Sequence, residues 1–408
     1  MYRENDDLND LINTLNGLSP NLNGEENNMD DDKDQPTIFI GNDDLLSKEK
    51  PIIRVLGVGG AGNNTVTNLF NVNIFGVETI AANTDATQLY HSKAQKKLLL
   101  GRKTCGGLGA GNNPLRGEEA AKESTEDIKR ILAGTDLLFL TCGLGGGTGS
   151  GATPYIAKLA KEMGILTVTV CTLPFSVEGG VRIRNAERSL KKLVEYSTVM
   201  IIIPNDKLLH VAPNAKLQEA FKMADDILVK AVQGITDIIM KPGLINVDYS
   251  DVRQVLTAGG MTFIGIGEAD GNSKERAMIA IERALSNKLI DLDITTAKRA
   301  LLNITGGPNL TLDETHNIIG RVSALIKKDL TITENEIEEN DEVIYGIILD
   351  SSLKSTIRVT VVLSGIESNI FDENGNLIRD LFYNPRNMGY GFIRRKDLFD
   401  DIEITRLG

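Results

Sequence analysis

The sequence has no tryptophan and only three cysteines in 408 residues. Cys105, Cys142 and Cys171 share no metal-ligand spacing, which argues against a zinc site or a disulfide framework and leaves buried thiols as the expectation. No apolar run approaches the roughly 18 residues that span a bilayer. The first residues, MYRENDDLND, are acidic where a secretory leader is basic, so a cytoplasmic chain without direct membrane insertion is expected. Basic residues are in deficit, 44 against 56 acidic ones for a net charge of −12, and aromatics make up 5%. A nucleic-acid binder needs cationic surface and stacking rings, and this chain is short of both. The lysine-bearing phosphate loop G-x-x-x-x-G-K-[ST] is also absent. Any phosphate must therefore be held mainly by backbone amides and helix dipoles.

What is present is organised in blocks. Residues 1–50 hold thirteen Asp/Glu against four Lys/Arg, and this Asn/Asp-rich composition buries too little apolar area to order itself. A disordered acidic extension is expected, in which DDLNDLINTLNGL can form a transient amphipathic helix. Over 51–215, near-continuous Val/Ile/Leu runs (IIRVLGV, VETIAAN, LLFLTC, LTVTVCTL, VMIIIPN) alternate with glycine loops and helical stretches. That pattern belongs to a parallel sheet covered on both faces, with ligands at the strand C-terminal ends. A long helix is predicted at 216–240 and is stopped by KPG, so 216–243 reads as a central connector. Residues 244–368 read as a second α/β domain with a mixed sheet, and 369–408 as a polar tail. The fold class is α/β: a Rossmann-like parallel-sheet domain, a long helix and a smaller mixed-sheet domain.

Residues 143–151, GLGGGTGSG, contain six glycines in nine positions directly after a predicted strand. Glycine costs backbone entropy there, so the loop must bring bare backbone close to something. A second loop, GVGGAGNN from Gly57 to Asn64, also joins a strand to a helix, and CGGLGAGNNP at 105–114 is a third. Each alone can be a tight turn, and Gly57, Gly59 and Gly62 with Asp85 also satisfy a dinucleotide fingerprint, which keeps an NAD-binding enzyme open. Three loops on one sheet edge point instead to a polyphosphate wrapped from several sides.

GGGTGSG at 145–151 resembles the signature loop of the tubulin/FtsZ superfamily. RVLGVGGAGNN, AANTDATQL, GGLGAGNNPLRG, PFSVEGGVR, IPNDKLL, AFKMADDIL, AVQGITDII and GLINVDYSDVRQVL resemble segments of its FtsZ branch in the same order, over roughly residues 50–368. The resemblance implies a GTPase that polymerises head-to-tail into filaments of the cell-division ring, acting in the cytoplasm at the division site. It implies that Gly59, Gly60, Ala61, Gly62, Asn63 and Asn64, with Gly145, Gly146, Gly147, Thr148 and Gly149, cradle the phosphates of GTP or GDP. Ala110, Gly111 and Asn112 would lie at the γ-phosphate, and Asn83 and Asp85 near the phosphates and their Mg²⁺, with K⁺ as a further cation. Glu178 and Arg182 would meet the ribose or base side, Asn205 and Asp225 the guanine edge, and Phe221 the ring face. No resident metal cluster is implied.

Asn246, Asp248 and Asp251, in NVDYSD, follow the long helix, whose 25 or so residues span roughly 37 Å. They cannot reach the nucleotide of their own subunit. The resemblance implies that this loop enters the next subunit's pocket, where its carboxylates polarise the attacking water. A purely structural role is helix capping, for which Asp251 is a good N-cap before VRQVL. A filament that serves cell shape is also compatible with these motifs, whereas the intact NVDYSD disfavours a relative that does not hydrolyse GTP. His91, His210 and His316 are isolated, Met223 and Met240 read as core filler, and Lys191–Lys192 as a solvated helix face. The N-terminal extension exceeds what the family needs, and the tail lacks the long linker of bacterial forms, which suits an archaeal type. The final DLFDDIEITRLG loosely resembles the acidic-hydrophobic peptide that binds membrane adaptors.

Overall fold

A computed structural model describes residues 50–366 apart from 212–213, 259–260, 272–274, 287–291 and 327–341. The acidic extension before Lys50, the 369–408 tail and the adaptor-like terminus lie outside the described residues.

The first sheet has six parallel strands: β1 (Ile53–Val58), β2 (Val77–Asn83), β3 (Lys96–Leu99), β4 (Leu137–Gly143), β5 (Leu166–Leu173) and β6 (Val199–Pro204), in the order β3-β2-β1-β4-β5-β6. Its central strands are buried almost throughout, as the uninterrupted aliphatic runs require when helices cover both faces. The helices are α1 (Gly59–Val72), α2 (Ala86–His91), α3 (Pro114–Glu123), α4 (Thr125–Leu132), α5 (Thr148–Glu162), α6 (Gly180–Tyr196) and α7 (Asn205–Val211). Edge strand β3 reads KKLL and gives no apolar pattern. Its lysines suit an edge that must not pair with another chain.

The central helix α8 (Leu217–Met240) runs 24 residues, about 36 Å. Its far end packs under the first domain, where a Cβ on Gly76 would stand 2.2 Å from Met240 Cε. Met240 is therefore core, as its apolar character suggested. The helix leads into α9 (Tyr249–Leu256) and a second sheet of β7 (Met261–Ala269), β8 (Arg299–Gly306), β9 (Glu342–Leu349) and β10 (Ile357–Ile366), ordered β7-β10-β8-β9. β10 is antiparallel to both neighbours while β8 and β9 are parallel, which makes the sheet mixed. Helices α10 (Arg276–Leu285) and α11 (Leu312–Ile326) pack on it. They are tied by the buried Arg276–Glu314 pair, with bonds of 2.6 and 3.0 Å.

The three cysteines are buried and unpaired, as expected. Among the described residues no helix is long and apolar enough to cross a membrane.

Close contact between α1 and the sheet sets the position of the first glycine loop. A Cβ on Gly62 would stand 2.5 Å from the Thr141 carbonyl oxygen and 2.9 Å from the Gly57 carbonyl carbon. Gly62→Ala should push α1 off β1 and β4 and lower stability by about 1–3 kcal/mol, read as a reduced midpoint in urea denaturation.

Candidate functional site

Chain order reverses between β1 and β4, and a cavity of about 600 Å³ opens at their C-terminal ends. Several helices begin on it, α1 and α5 among them. Neither α1, preceded by Val58, nor α5, preceded by Gly147, has a side-chain cap or an acidic residue in its first turn. By contrast α2, α3 and α9 are capped by Asp85, Asn113 and Asp248. The N–H groups that open α1 and α5 thus lack a side-chain partner and carry the positive ends of two helix dipoles, which makes an anion site without any lysine.

The glycine-rich signature loop now has a physical account. A Cβ on Gly149 would stand 2.4 Å from the Gly143 carbonyl oxygen, and one on Gly151 would stand 2.0 Å from that of Pro114. These two glycines let backbone meet backbone. Gly146 is different: a Cβ there would meet nothing within 4 Å, yet the residue lines the cavity. No protein atom requires a glycine at this position.

The loops are braced against one another. Thr84 and Thr148 join through their hydroxyls at 2.6 Å. The third loop is held by Gly109 N–H donating to Thr84 O (3.1 Å) and Ala86 N–H to Gly107 O (2.9 Å). Its Asn112 sits at φ 59°, in the left-handed region. Asn63 is buried beneath the site. In the amide orientation that satisfies it, its NH₂ reaches the carbonyls of Gly57, Gly59 and Ala82 at 3.0–3.2 Å, and its oxygen accepts from Asn83 Nδ2 at 3.1 Å. Pro154 inside α5 has no N–H for the Ser150 carbonyl, which accepts instead from Ser189 Oγ of α6 at 2.6 Å.

The opposite end of the cavity suits a planar polar ring. Asn205 Oδ1 is buried there without a hydrogen-bond partner, an acceptor that the protein leaves open. Asp225 Oδ1 accepts from Thr65 Oγ1 at 2.6 Å and Oδ2 from Asn68 Nδ2 at 2.8 Å. Burial pushes its carboxyl above the usual range, against the opposing effect of these two bonds. Phe221 lines the cavity and meets Phe175 edge-on, with centroids 5.9 Å apart. Glu178 and Arg182 pair at 2.7 Å. Cys142 also lines the cavity, but burial pushes its thiol up to about 12, so it is no nucleophile at neutral pH.

Of the residues expected to hold a nucleotide, Gly60, Ala61, Asn64, Asn83, Asp85, Ala110, Gly111, Asn112, Gly146, Gly147, Thr148, Gly149, Glu178, Arg182, Asn205, Phe221 and Asp225 come together on the cavity. Gly59, Gly62, Asn63 and Gly145 are not among its lining residues. Sequence reasoning missed Thr65, Gln88, Leu108, Gly109, the Thr141–Leu144 strand end, Thr172 and Pro174. The rule that ligands sit at strand C-terminal ends could have found Thr141, Thr172 and Pro174. Nothing in the sequence pairs Thr65 with a residue 160 positions away.

Asn246, Asp248 and Asp251 lie at the other end of the sheet. The Tyr249 hydroxyl donates to the Asp136 carbonyl at 2.7 Å, just before β4 begins, and the cavity starts where β4 ends. Its seven residues span about 23 Å. The capping expectation needs one correction: Asp248, not Asp251, is the N-cap of α9. The two form a reciprocal box, with Asp251 N–H donating to Asp248 Oδ1 (2.9 Å) and Asp248 N–H to Asp251 Oδ2 (3.2 Å). A box closes because the residue three positions inside the helix reaches back to the cap.

Residues 52–213 match the sequence profile "Tubulin/FtsZ family, GTPase domain", and 260–367 match "FtsZ family, C-terminal domain". The chain is 48% identical over 325 residues to the cell division protein FtsZ of Methanothermobacter thermautotrophicus, covering 80% of this chain and 82% of that protein. An empty FtsZ dimer from M. jannaschii superposes with a TM-score of 0.69 at 45% identity, over 79% of this chain and 90% of that one. CetZ2 from Haloferax volcanii, in a GTPγS-bound protofilament, shares the fold at TM-score 0.63 and 22% identity, over 77% and 93% of the two chains. The reading as an NAD enzyme gives way to these matches, and the chain belongs to the Tubulin/FtsZ family as a GTPase of its FtsZ cell-division branch.

Proposed function

We propose that this GTPase works as a head-to-tail filament in which each nucleotide site is completed by the Asn246–Asp251 loop of the next subunit. The observation that carries this is the placement of that loop at the sheet end opposite the cavity, through the Tyr249–Asp136 bond. Carboxylates so placed serve a γ-phosphate only in another copy. Apolar side chains exposed at both ends support the contact. Leu108, Leu115 and Val177 flank the cavity, at 87%, 70% and 84% exposure, while Phe75 and Leu244, at 66% and 69%, flank the other end. Joining unlike ends does not close on itself and makes a filament.

In this reading the uncapped starts of α1 and α5 hold the phosphates of GTP, with the 110–112 loop at the γ-phosphate. Asn205 and Asp225 read the guanine edge, Phe221 covers its face, and Glu178 and Arg182 meet the ribose. Asp85 and Asn83 supply oxygen donors, and no cluster of three or more His, Cys, Asp or Glu exists among the described residues. This fits a hard cation held largely by phosphate oxygens, Mg²⁺ with K⁺ as a further ion. Such a cation neutralises charge on the phosphates. The chain's own part is to fix the γ-phosphate, exclude bulk water and present Asp248 and Asp251 of the next subunit to the attacking water, so catalysis comes from positioning and electrostatics. The filament would act at the division site in the cytoplasm, with the final twelve residues recruiting a membrane adaptor.

Three variants test this. Asp251→Asn retains an acceptor for the capping box while removing charge; it should bind GTP as the parent does and lose turnover by about 10²-fold or more, and normal turnover would remove the shared-site assignment. Gly146→Val, whose Cβ meets no protein atom within 4 Å, should abolish GDP binding in a filter or fluorescence assay with an unchanged melting temperature. Deleting residues 397–408 should leave phosphate release intact and end recruitment to adaptor-bearing vesicles.

A further inference from the structure

The carboxylate assigned to the base is held by two side chains that have no part in that assignment, Thr65, which lines the cavity, and Asn68, which is not among its lining residues. Asp225 on α8 is bracketed by two side chains of α1, one per oxygen: Asn68 Nδ2 at 2.8 Å and Thr65 Oγ1 at 2.6 Å. A carboxylate offers about four lone-pair sites. With one on each oxygen filled by α1, one on each remains, a pair of adjacent acceptors. The hydrogen-bonding edge of guanine presents two adjacent donors, N1–H and the 2-amino group. Adenine presents an acceptor, N1, beside its 6-amino donor. The ionised acid therefore complements guanine, whereas the protonated acid, one O–H beside one acceptor, complements adenine.

The two brackets differ in kind. The Thr65 hydroxyl has one proton and two acceptors in reach, Asp225 at 2.6 Å and the Ala61 carbonyl at 3.1 Å. If Asp225 were protonated, Thr65 could turn to Ala61 and accept from the acid, so it suits either state. The Asn68 NH₂ group can only donate. It is satisfied by the ionised form and opposes a proton on the oxygen it faces. The charge beside Asp225 on its own helix is Asp226, which also pushes its carboxyl upward, and α1 contributes only uncharged groups. The cavity's other titratable side chains are Asp85, Cys142, Glu178 and Arg182.

We infer that Asn68 is a positioning residue for base specificity, which keeps the Asp225 carboxylate in the acceptor-only state that selects a 2-amino-6-oxopurine over adenine. This rests on the assignment of Asp225 to the base edge. It assigns to α1, whose first turn meets the phosphates in the same reading, a second role about two helical turns further along: Gly60 and Asn64 face the cavity, and Asn68 lies four residues beyond Asn64.

The test is the ratio of GDP to ADP affinity as a function of pH, measured with fluorescent diphosphates so that assembly plays no part. In the parent protein the ratio should stay high down to mildly acid pH. In Asn68→Leu, similar in volume but without a donor, the pH at which the ratio collapses should move up by about one unit. A tenfold loss of preference then appears at a pH where the parent is unaffected. Affinity for ADP should rise as that for GDP falls, and full preference should return in mild alkali. Asn68→Gln, which keeps the NH₂, should recover much of the parent profile. A parent-like profile in Asn68→Leu, or equal losses for both nucleotides at every pH, would overturn the inference, since a purely structural residue would give the second result. Asp225→Asn separates the two levels: if it keeps the guanine preference, the base assignment of Asp225 itself fails. If it loses that preference while Asn68→Leu does not, only the role of Asn68 falls.

Discussion

Two helix N-termini without side-chain caps, aimed at one point, are the constraint on which the rest of the structure depends. An uncapped N-terminus costs a helix about 1 kcal/mol relative to a good cap, and this chain leaves α1 and α5 without one at the same crevice, as it also leaves α4, α6 and α10, while capping α2, α3 and α9 with Asp or Asn. In the proposed function a bound phosphate chain supplies the missing acceptors. The parallel sheet orders its strands so that β1 and β4 are neighbours, which brings the two ends together. Glycines at 62, 149 and 151 let backbone approach where any side chain would collide. The absence of a phosphate-loop lysine follows from the same design, because the charge is provided by peptide dipoles.

The second constraint is one of distance. The carboxylates of the 246–251 loop are placed by the length of α8 and by the Tyr249–Asp136 bond, and both put them at the wrong end of their own subunit for chemistry. Their reciprocal capping box shows that Asp248 and Asp251 also start α9. One pair of residues thus has a local role in an isolated subunit and, in the proposed filament, a catalytic one. In that proposal binding and hydrolysis are divided between the two ends of the molecule, and assembly switches on turnover.

Much of this was legible in the sequence where the signal is local. Strands such as VETIAAN and LTVTVCTL stand out because buried parallel strands need no polar alternation, and they coincide with β2 and β5. The loops at 59–64, 105–114 and 143–151 were legible because glycine density has few other causes. Edge strand β3 was not, since Lys96 and Lys97 answer to solvent and not to the core. Nor was the bracket of Thr65 and Asn68 around Asp225, because hydrogen bonds across 160 and 157 positions leave no spacing to read. The capping residue of α9 was misplaced by three positions, as two aspartates in one box satisfy the same local rule from either end. Gly146 is the reverse case: its presence was obvious, but its reason, open space facing a cavity, needs coordinates.

The central claim is that the hydrolytic site forms only between subunits, and the direct measurement is the rate of phosphate release from GTP against protein concentration, with Mg²⁺ and K⁺ present. The account predicts a rate near zero below a threshold concentration and a linear rise above it. A rate proportional to protein from the lowest concentration would mean a self-contained site and would contradict it.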